Sequence, residues 1–239
     1  MSYSDILRVK NLGKVIRNPL YQSIVKNGLV LHLDGRDFKN SPPTAIWKDR
    51  SGLGNNAIPS GMAYTNVSGS DGLGGVKFDG IDDAISLGTS NVGDSDTFTI
   101  ETKFIMPTTT SKCILSKCSL LSSARFIIDS AGDGSKLRFF GYTAGGGVAG
   151  DTTGITVNIG TLIYGTFIYD GNNFKIYING IFQKSTPITS TLMPIANNFN
   201  IGNRSINGGE IFDSTIKTIK VYNRALTDVE ILKNYKASR

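Results

Sequence analysis

Two cysteines, one histidine, one tryptophan and three glutamates are all that this 239-residue chain holds of several residue types that often carry chemistry. With a single imidazole, His32, and thiols only at Cys113 and Cys118, no four-ligand zinc set of Cys and His can be assembled. The cysteines sit in KCILSKC, which lacks the Cys-x-x-Cys spacing of a redox pair. Two buried thiols are expected there, with a local disulfide as the alternative. His32 has no evident Ser or Cys partner for nucleophilic catalysis. No apolar run is long enough to span a bilayer, and no apolar core follows Met1, so neither a membrane partner nor a cleavable secretory leader is expected. The expected route is synthesis in a cytoplasm, with any action outside the cell reached by another path. The net charge is +6, yet the Lys and Arg residues are scattered. Their densest stretch is the N-terminal tail, Arg8, Lys10, Lys14 and Arg17 against Asp5, so nucleic acid is not an expected partner.

What the chain does have is turn chemistry and alternation. Its 28 glycines fit a loop-rich β protein, and 39% hydrophobic residues suffice for a substantial core. Leu162–Lys184 reads as three short strands joined by the turns Asp170-Gly171-Asn172-Asn173 and Asn179-Gly180. Between them Phe174, Ile176 and Ile178 alternate with Lys175, Tyr177 and Asn179, which puts an apolar row on one side of a sheet. One greasy face needs a second sheet to cover it, so the segment implies a β-sandwich.

Further strands are predicted at Leu29–Leu33, Val76–Asp79, Ala84–Leu87, Thr97–Ile105, Lys112–Ser116, Arg125–Asp129, Lys136–Tyr142, Phe199–Gly202 and Thr215–Tyr222. A glycine-rich loop is predicted over Ala144–Gly150. Thr227-Asp228-Val229-Glu230 fits a capping box, with Leu226 and Ile231 placed as a hydrophobic staple. It predicts a helix from Asp228 to Tyr235 that packs Ile231, Leu232 and Tyr235 on the sandwich. Residues 1–26, interrupted by Gly13 and Pro19, read as an arm for docking, and residues 27–239 as the domain.

Four segments, in this order, resemble the LamG-like jelly-roll modules of the concanavalin A-like lectin/glucanase superfamily. They are GLVLHLDG (Gly28–Gly35), WKDRSGLGNNA (Trp47–Ala57), VKFDGIDDAISLG (Val76–Gly88), and YDGNNFKIYING with IKTIKVYNRALTDVEI (Tyr169–Gly180 and Ile216–Ile231). The resemblance covers about residues 27–236. It implies an all-β, two-sheet antiparallel sandwich of six or seven strands per sheet with a short C-terminal helix. A short N-terminus running directly into GLVLHLDG is similar to LamG-type proteins of tailed bacteriophages, which implies a place on the virion. The expected partners are then other virion proteins, through residues 1–26, and cell-surface polysaccharide, with the chain present as a homo-oligomer or in many copies.

Glucan-hydrolysing members of that superfamily carry paired glutamates, because glycoside hydrolysis needs two carboxylates at fixed separation. Here Glu101 stands alone on its strand, Glu210 lies in a Gly-Gly loop, and Glu230 belongs to the capping box, so no enzyme is expected. No cofactor is required; a structural calcium is the candidate ion, with Asp34, Asp82 and Asp83 as oxygen donors. The alternative has those aspartates bonding backbone N–H groups at turns. Trp47, inside the W-x-D-x-S-G pattern, is read as a packing residue. For ligand contact Tyr142, Asn203, Arg204 and Asn207 offer an aromatic face, amides and a guanidinium near glycine loops. The reading is a non-enzymatic phage surface protein displaying a lectin-like sandwich. Its alternatives are a purely structural decoration of capsid or tail and a carbohydrate-binding module of a cellular protein.

Overall fold

The alternating rows close on one another as two antiparallel sheets. The computed structural model describes residues 23–40, 46–109, 111–120, 123–188, 190–193, 198–204 and 210–239. Strands are numbered along the chain. The eight-stranded sheet holds β1 (Leu29–Asp34), β3 (Gly69–Ser70), β4 (Val76–Lys77), β6 (Phe98–Ile105), β11 (Leu162–Tyr169), β12 (Asn173–Ile178), β13 (Ile181–Pro187) and β15 (Thr215–Tyr222). Its order is β13-β12-β11-β6-β15-β4-β3, with β1 also paired to β15. The seven-stranded sheet holds β2 (Ile58–Ser60), β5 (Ala84–Thr89), β7 (Cys113–Leu120), β8 (Ser123–Ala131), β9 (Lys136–Tyr142), β10 (Val148–Thr156) and β14 (Asn198–Ile201), in the order β10-β9-β8-β7-β14-β5-β2.

The meander behaves as its alternation predicts. Phe174 and Ile176 are buried between the sheets, with Ile178 packed at the margin. Asn179 (φ 53°) and Gly180 (φ 77°) take the consecutive positive φ angles that a two-residue hairpin turn demands. Phe98, Ile100 and Phe104 on β6 face the same core. There Phe139 meets Phe174 edge-on, ring centroids 4.5 Å apart at 86°, the geometry favoured by the ring quadrupoles.

Trp47 is fully buried, packs edge-on against Phe38, and donates its indole N–H to the Asp34 carbonyl at 2.8 Å. The rest of its motif builds the turn. Asp49 accepts from the backbone N–H groups of His32, Ser51 and Asn55 and from the Ser51 hydroxyl. Burial pushes the Asp49 carboxyl up, but these hydrogen bonds hold it below its ordinary value.

The helix α1 (Asp228–Ala237) carries the complete capping box between Thr227 and Glu230. Leu226 and Ile231 share one apolar cluster with Val25, Leu29, Ile168, Tyr177 and Tyr222, on the outer face of the eight-stranded sheet. Leu232, expected to pack inward, is 40% exposed, whereas Asn234 is fully buried. The Asn234 amide donates to Glu101 Oε2 and Tyr222 Oη and accepts from the Val25 N–H. A polar residue is tolerated there because it bonds three elements at once.

Three expectations need correction. The glycine loop ends early: Val148–Thr156 is strand β10, whose glycines Gly150 and Gly154 lie on a sheet edge. The sheets carry eight and seven strands where the resemblance implied six or seven. Glu101, alone on its strand in sequence, has company in space: Lys220 Nζ is 3.4 Å away and Tyr164 and Asn234 close the site. Burial pushes its pKa up, against the pull of Lys220. Of the docking arm, residues 1–26, residues 1–22 lie outside the described residues; residues 23–26 lead in beside α1, where Val25 is held.

Candidate functional site

A single row of side chains crosses the outer face of the seven-stranded sheet. Cross-strand register places Ile58 opposite Ser86, Ser86 opposite Asn200, Asn200 opposite Ser116, Ser116 opposite Ile127, and Ile127 opposite Phe140. Five strand spacings separate its ends, roughly 24 Å. The residues flanking this row within the strands, among them Phe126, Ile128, Phe139, Phe199 and Ile201, point into the inter-sheet core. Strand alternation therefore turns the row away from the inter-sheet core, although its members Asn200, Ser116, Ile127 and Phe140 are themselves buried on that outer face.

At one end of the row is an aromatic and arginine cluster. Phe140 lies 5.1 Å below the Arg138 guanidinium and 6.0 Å from that of Arg204, with the Tyr142 ring 6.4 Å away. Arg138 and Asp129 are direct cross-strand partners and bond bidentately, at 2.7 and 2.5 Å. Burial drives the Asp129 carboxyl up to about 6; Arg138 pulls it down and the nearby Glu210 pushes it up. Arg204 bonds Glu210 at 2.7 Å. Glu210 holds φ +56°, a backbone state that non-glycine residues seldom adopt. The chain leaving β14 is pinned over the sheet by the Ser116 hydroxyl, which donates to the carbonyls of Asn203 and Arg204, and by the Cys118 thiol on the Arg204 carbonyl. Cys113 and Cys118 are both buried, and burial pushes both thiols up, away from reactivity.

At the other end a cavity of about 310 Å³ opens where β2, β5 and β14 meet the β4–β5 turn. Ser60, Asp82, Ser86, Asn200 and Asn203 line it, and Ile58 and Ile81 flank it at 64% and 74% exposure. Polar donors and acceptors between two exposed aliphatic side chains suit a hydroxylated ligand with apolar ring faces. The turn that supplies Asp82 is built by close approach. Gly61, at φ +76°, lies where a Cβ would stand 2.2 Å from the Asp82 carbonyl oxygen, so only glycine fits beneath it.

The same turn gathers Asp79, Asp82 and Asp83, with one carboxylate oxygen from each inside a 4.8 Å cluster. Asp83 is fully buried and accepts from the Ser68 hydroxyl and the Asp79 N–H, both at 2.7 Å. Burial first, then the charges of Asp79 and Asp82, raise its pKa. Among the described residues no Lys or Arg forms an ion pair with any of the three. Three hard oxygen donors carrying excess negative charge fit a calcium ion by chemistry.

The structure thus brings Tyr142 and Arg204 together around Phe140, and sets Asn203 beside Asp82 at the cavity. Asn207 lies outside the described residues. Asp82 and Asp83 share the acidic turn, but Asp34 does not join them. Its carboxylate is held by Arg36 and Arg50, at 2.5 and 2.6 Å, which removes it from any metal set. The hydrogen bonds from Arg36 and the charge of Arg50 overcome burial and lower its pKa. Sequence reading missed Asp79, Asp129, Arg138, Phe140 and Asn200. Arg138 and Phe140 carried a signal, standing four and two residues before Tyr142 on one strand.

Two stacked antiparallel sheets, a tryptophan-anchored first hairpin and a capped C-terminal helix define a lectin-type β-sandwich. Residues 79–232 match the laminin G family Laminin_G_3, and the chain belongs to this concanavalin A-like lectin/glucanases superfamily. No curated protein matches the sequence. Among solved structures, a mutant Trypanosoma rangeli sialidase displaying trans-sialidase activity is similar at TM-score 0.66 and 14% identity, over 90% of this chain and 34% of that one. Domain 4 of an extracellular arabinanase from Geobacillus stearothermophilus, in complex with arabinotriose, is similar at TM-score 0.61 and 17% identity, over 87% of this chain and 98% of that domain. The botulinum neurotoxin type G receptor binding domain is similar at TM-score 0.58 and 17% identity, over 89% and 52%. The chain spans about a third of the length of the sialidases it matches. At these identities the likeness is one of fold.

Proposed function

We propose that this chain is a non-enzymatic glycan-binding module, displayed on a bacteriophage virion, that meets its glycan on the outer face of the seven-stranded sheet. The observation that carries the binding reading is the cavity where Ser60, Asp82, Ser86, Asn200 and Asn203 lie between the exposed Ile58 and Ile81, with half-buried Tyr142 at the far end of the same face. A neighbour of the same fold and size is an arabinanase domain in complex with arabinotriose, which supports the substrate class. The virion setting rests on the sequence resemblance to tailed-phage LamG-type proteins and on nothing in the fold.

The carboxylates argue for binding without turnover. Glu101 is buried on Lys220, Glu210 is paired with Arg204, Glu230 with Arg224, and Asp129 with Arg138, and among the described aspartates without an ion pair only Asp82 lines the cavity. A retaining or inverting glycosidase needs two carboxyls free to face the scissile bond. The calcium reading belongs to the same proposal: the ion would hold the Asp79–Asp82–Asp83 turn and so the wall of the cavity.

A glycan array probed with the full chain tests the reading. Binding to a defined set of polysaccharides, lost in Tyr142→Ala and in Asn200→Ala, is the expected result. Absence of binding to any glycan would favour the purely structural role, and release of reducing sugar ends from a bound polysaccharide would overturn the non-enzymatic reading.

A further inference from the structure

A second cavity, of about 370 Å³, lies on the opposite side of the molecule, on the outer face of the eight-stranded sheet beside the end of α1. Its charge is lopsided. Arg36, Lys103, Lys217, Lys220 and Arg239 line it, against one carboxylate, Asp34. Most of these cations are already matched: Arg36 by Asp34, Lys217 by Asp71 at 2.7 Å, Lys220 by Glu101. Arg239 is exposed, and Lys103 is the half-buried exception. Its ammonium donates to the Ser238 carbonyl at 2.6 Å, and no ion pair joins it to a carboxylate among the described residues. Burial, then the like charges of Lys217 and Lys220, pull its pKa down. A half-buried cation whose charged neighbours are cations is an electrostatic deficit of one negative charge.

A second observation points the same way. His32 lines this cavity, and its Nδ1 is buried with no hydrogen-bond partner. Burial, with Lys220, lowers its pKa to about 4, so at neutral pH the ring is uncharged and Nδ1 can carry a donor hydrogen. Register sets His32 opposite Lys220 and Lys103 opposite Thr218, on adjoining rungs of one ladder. Lys103, which lacks a carboxylate, and His32, whose Nδ1 lacks a hydrogen-bond partner, therefore line the same space.

We propose that this cavity receives the carboxylate of a small monoanionic ligand, with Lys103 supplying the charge and His32 a hydrogen bond. Its volume falls within the range of small-molecule pockets and accommodates a free organic acid or a single acidic sugar. The site is separate from the glycan row and does not depend on it.

The test is a titration of the full chain, followed by amide NMR, with sodium acetate, glucuronate and glucose at matched ionic strength. Acetate and glucuronate are expected to shift the amides of Gly74 and Thr218 saturably, and glucose to leave them in place. Glucuronate binding more than tenfold tighter than acetate identifies a sugar-borne acid; equal affinities identify the free acid. Lys103→Gln should weaken the response at least tenfold, while its ligand-free melting temperature stays level or rises because like-charge repulsion is relieved. Unsaturable shifts, shifts located elsewhere, a glucose response equal to that of glucuronate, or an unchanged response in Lys103→Gln would overturn the proposal. The wild-type titration decides the matter even if that variant does not fold.

Discussion

Replacing Arg138 by Met should change how stability depends on pH, and the structure sets the size of the effect. Asp129 has no exposed side-chain surface and is held bidentately by Arg138, yet burial still lifts its carboxyl from 3.8 to about 6. A group with a raised folded-state pKa binds its proton more tightly in the native state. Its contribution is therefore favourable in acid, and is lost as pH rises from the unfolded value through the folded one. At about 1.4 kcal/mol per unit, this group alone makes the wild type roughly 3 kcal/mol less stable above pH 6 than below pH 4, with no further loss beyond. Without the Arg138 guanidinium the burial penalty is offset only by the more distant charge of Arg204, and the folded pKa rises further. The loss then continues above pH 6, at up to about 1.4 kcal/mol for each pH unit, until the raised folded pKa is passed. The stability gap between wild type and variant should widen between pH 6 and pH 8, by at most about 2 kcal/mol. Urea denaturation at half-unit intervals measures both curves, and taking the difference cancels every other titrating group. Asp129→Asn in the Arg138→Met background should make the extra slope vanish. Parallel curves above pH 6 would refute the reasoning, because they would mean that Asp129 is not ionised in the folded protein or is not held by Arg138.

Saturating calcium is expected to raise the melting temperature, and at a hundredfold excess over the dissociation constant the gain is about 2.7 kcal/mol; Asp82→Asn should remove that gain in differential scanning calorimetry while the calcium-free protein melts as before. Trp47→Phe leaves the buried Asp34 carbonyl without its indole donor and opens a void beside Phe38, so a loss of about 2–4 kcal/mol is expected in chemical denaturation. Thr227→Ala removes the cap hydroxyl that accepts from the Glu230 N–H, and should cost about 1 kcal/mol, read as the same loss in urea unfolding and as faster amide exchange in the first turn of α1.

The local devices of this fold are legible in the chain because each is decided by residues a few positions apart. Asn179-Gly180 must turn because both positions take positive φ, and Thr227 with Glu230 must start a helix because they satisfy each other's exposed N–H groups. The alternation at Phe98–Ile105 likewise decides which face of β6 is buried, and a greasy face on each strand forces a second layer. The W-x-D-x-S-G pattern is read correctly as structure, since Asp49 bonds backbone that lies within a few residues on one side and β1 on the other. Leu232 and Asn234 show where such reading ends. Their periodicity permits either to face inward, and only the polar cluster of Glu101, Tyr222 and Val25, brought from three distant segments, decides in favour of Asn234.

The site belongs to that second category. Tyr142 and Arg204 can be picked out as ligand-facing residue types near glycine loops, but nothing in one dimension says that Phe140 and Arg138 complete their cluster or that Asp34 is drawn away by Arg50. The row from Ile58 to Phe140 takes one residue from each of six strands, and its members are set by hydrogen-bond register between residues as far apart as Ser86 and Asn200. A one-residue slip in any of those pairings would send a different set of side chains to the surface. Alternation along the sequence therefore determines that there is an inside and an outside; register in the folded sheet determines which six side chains share the outer row.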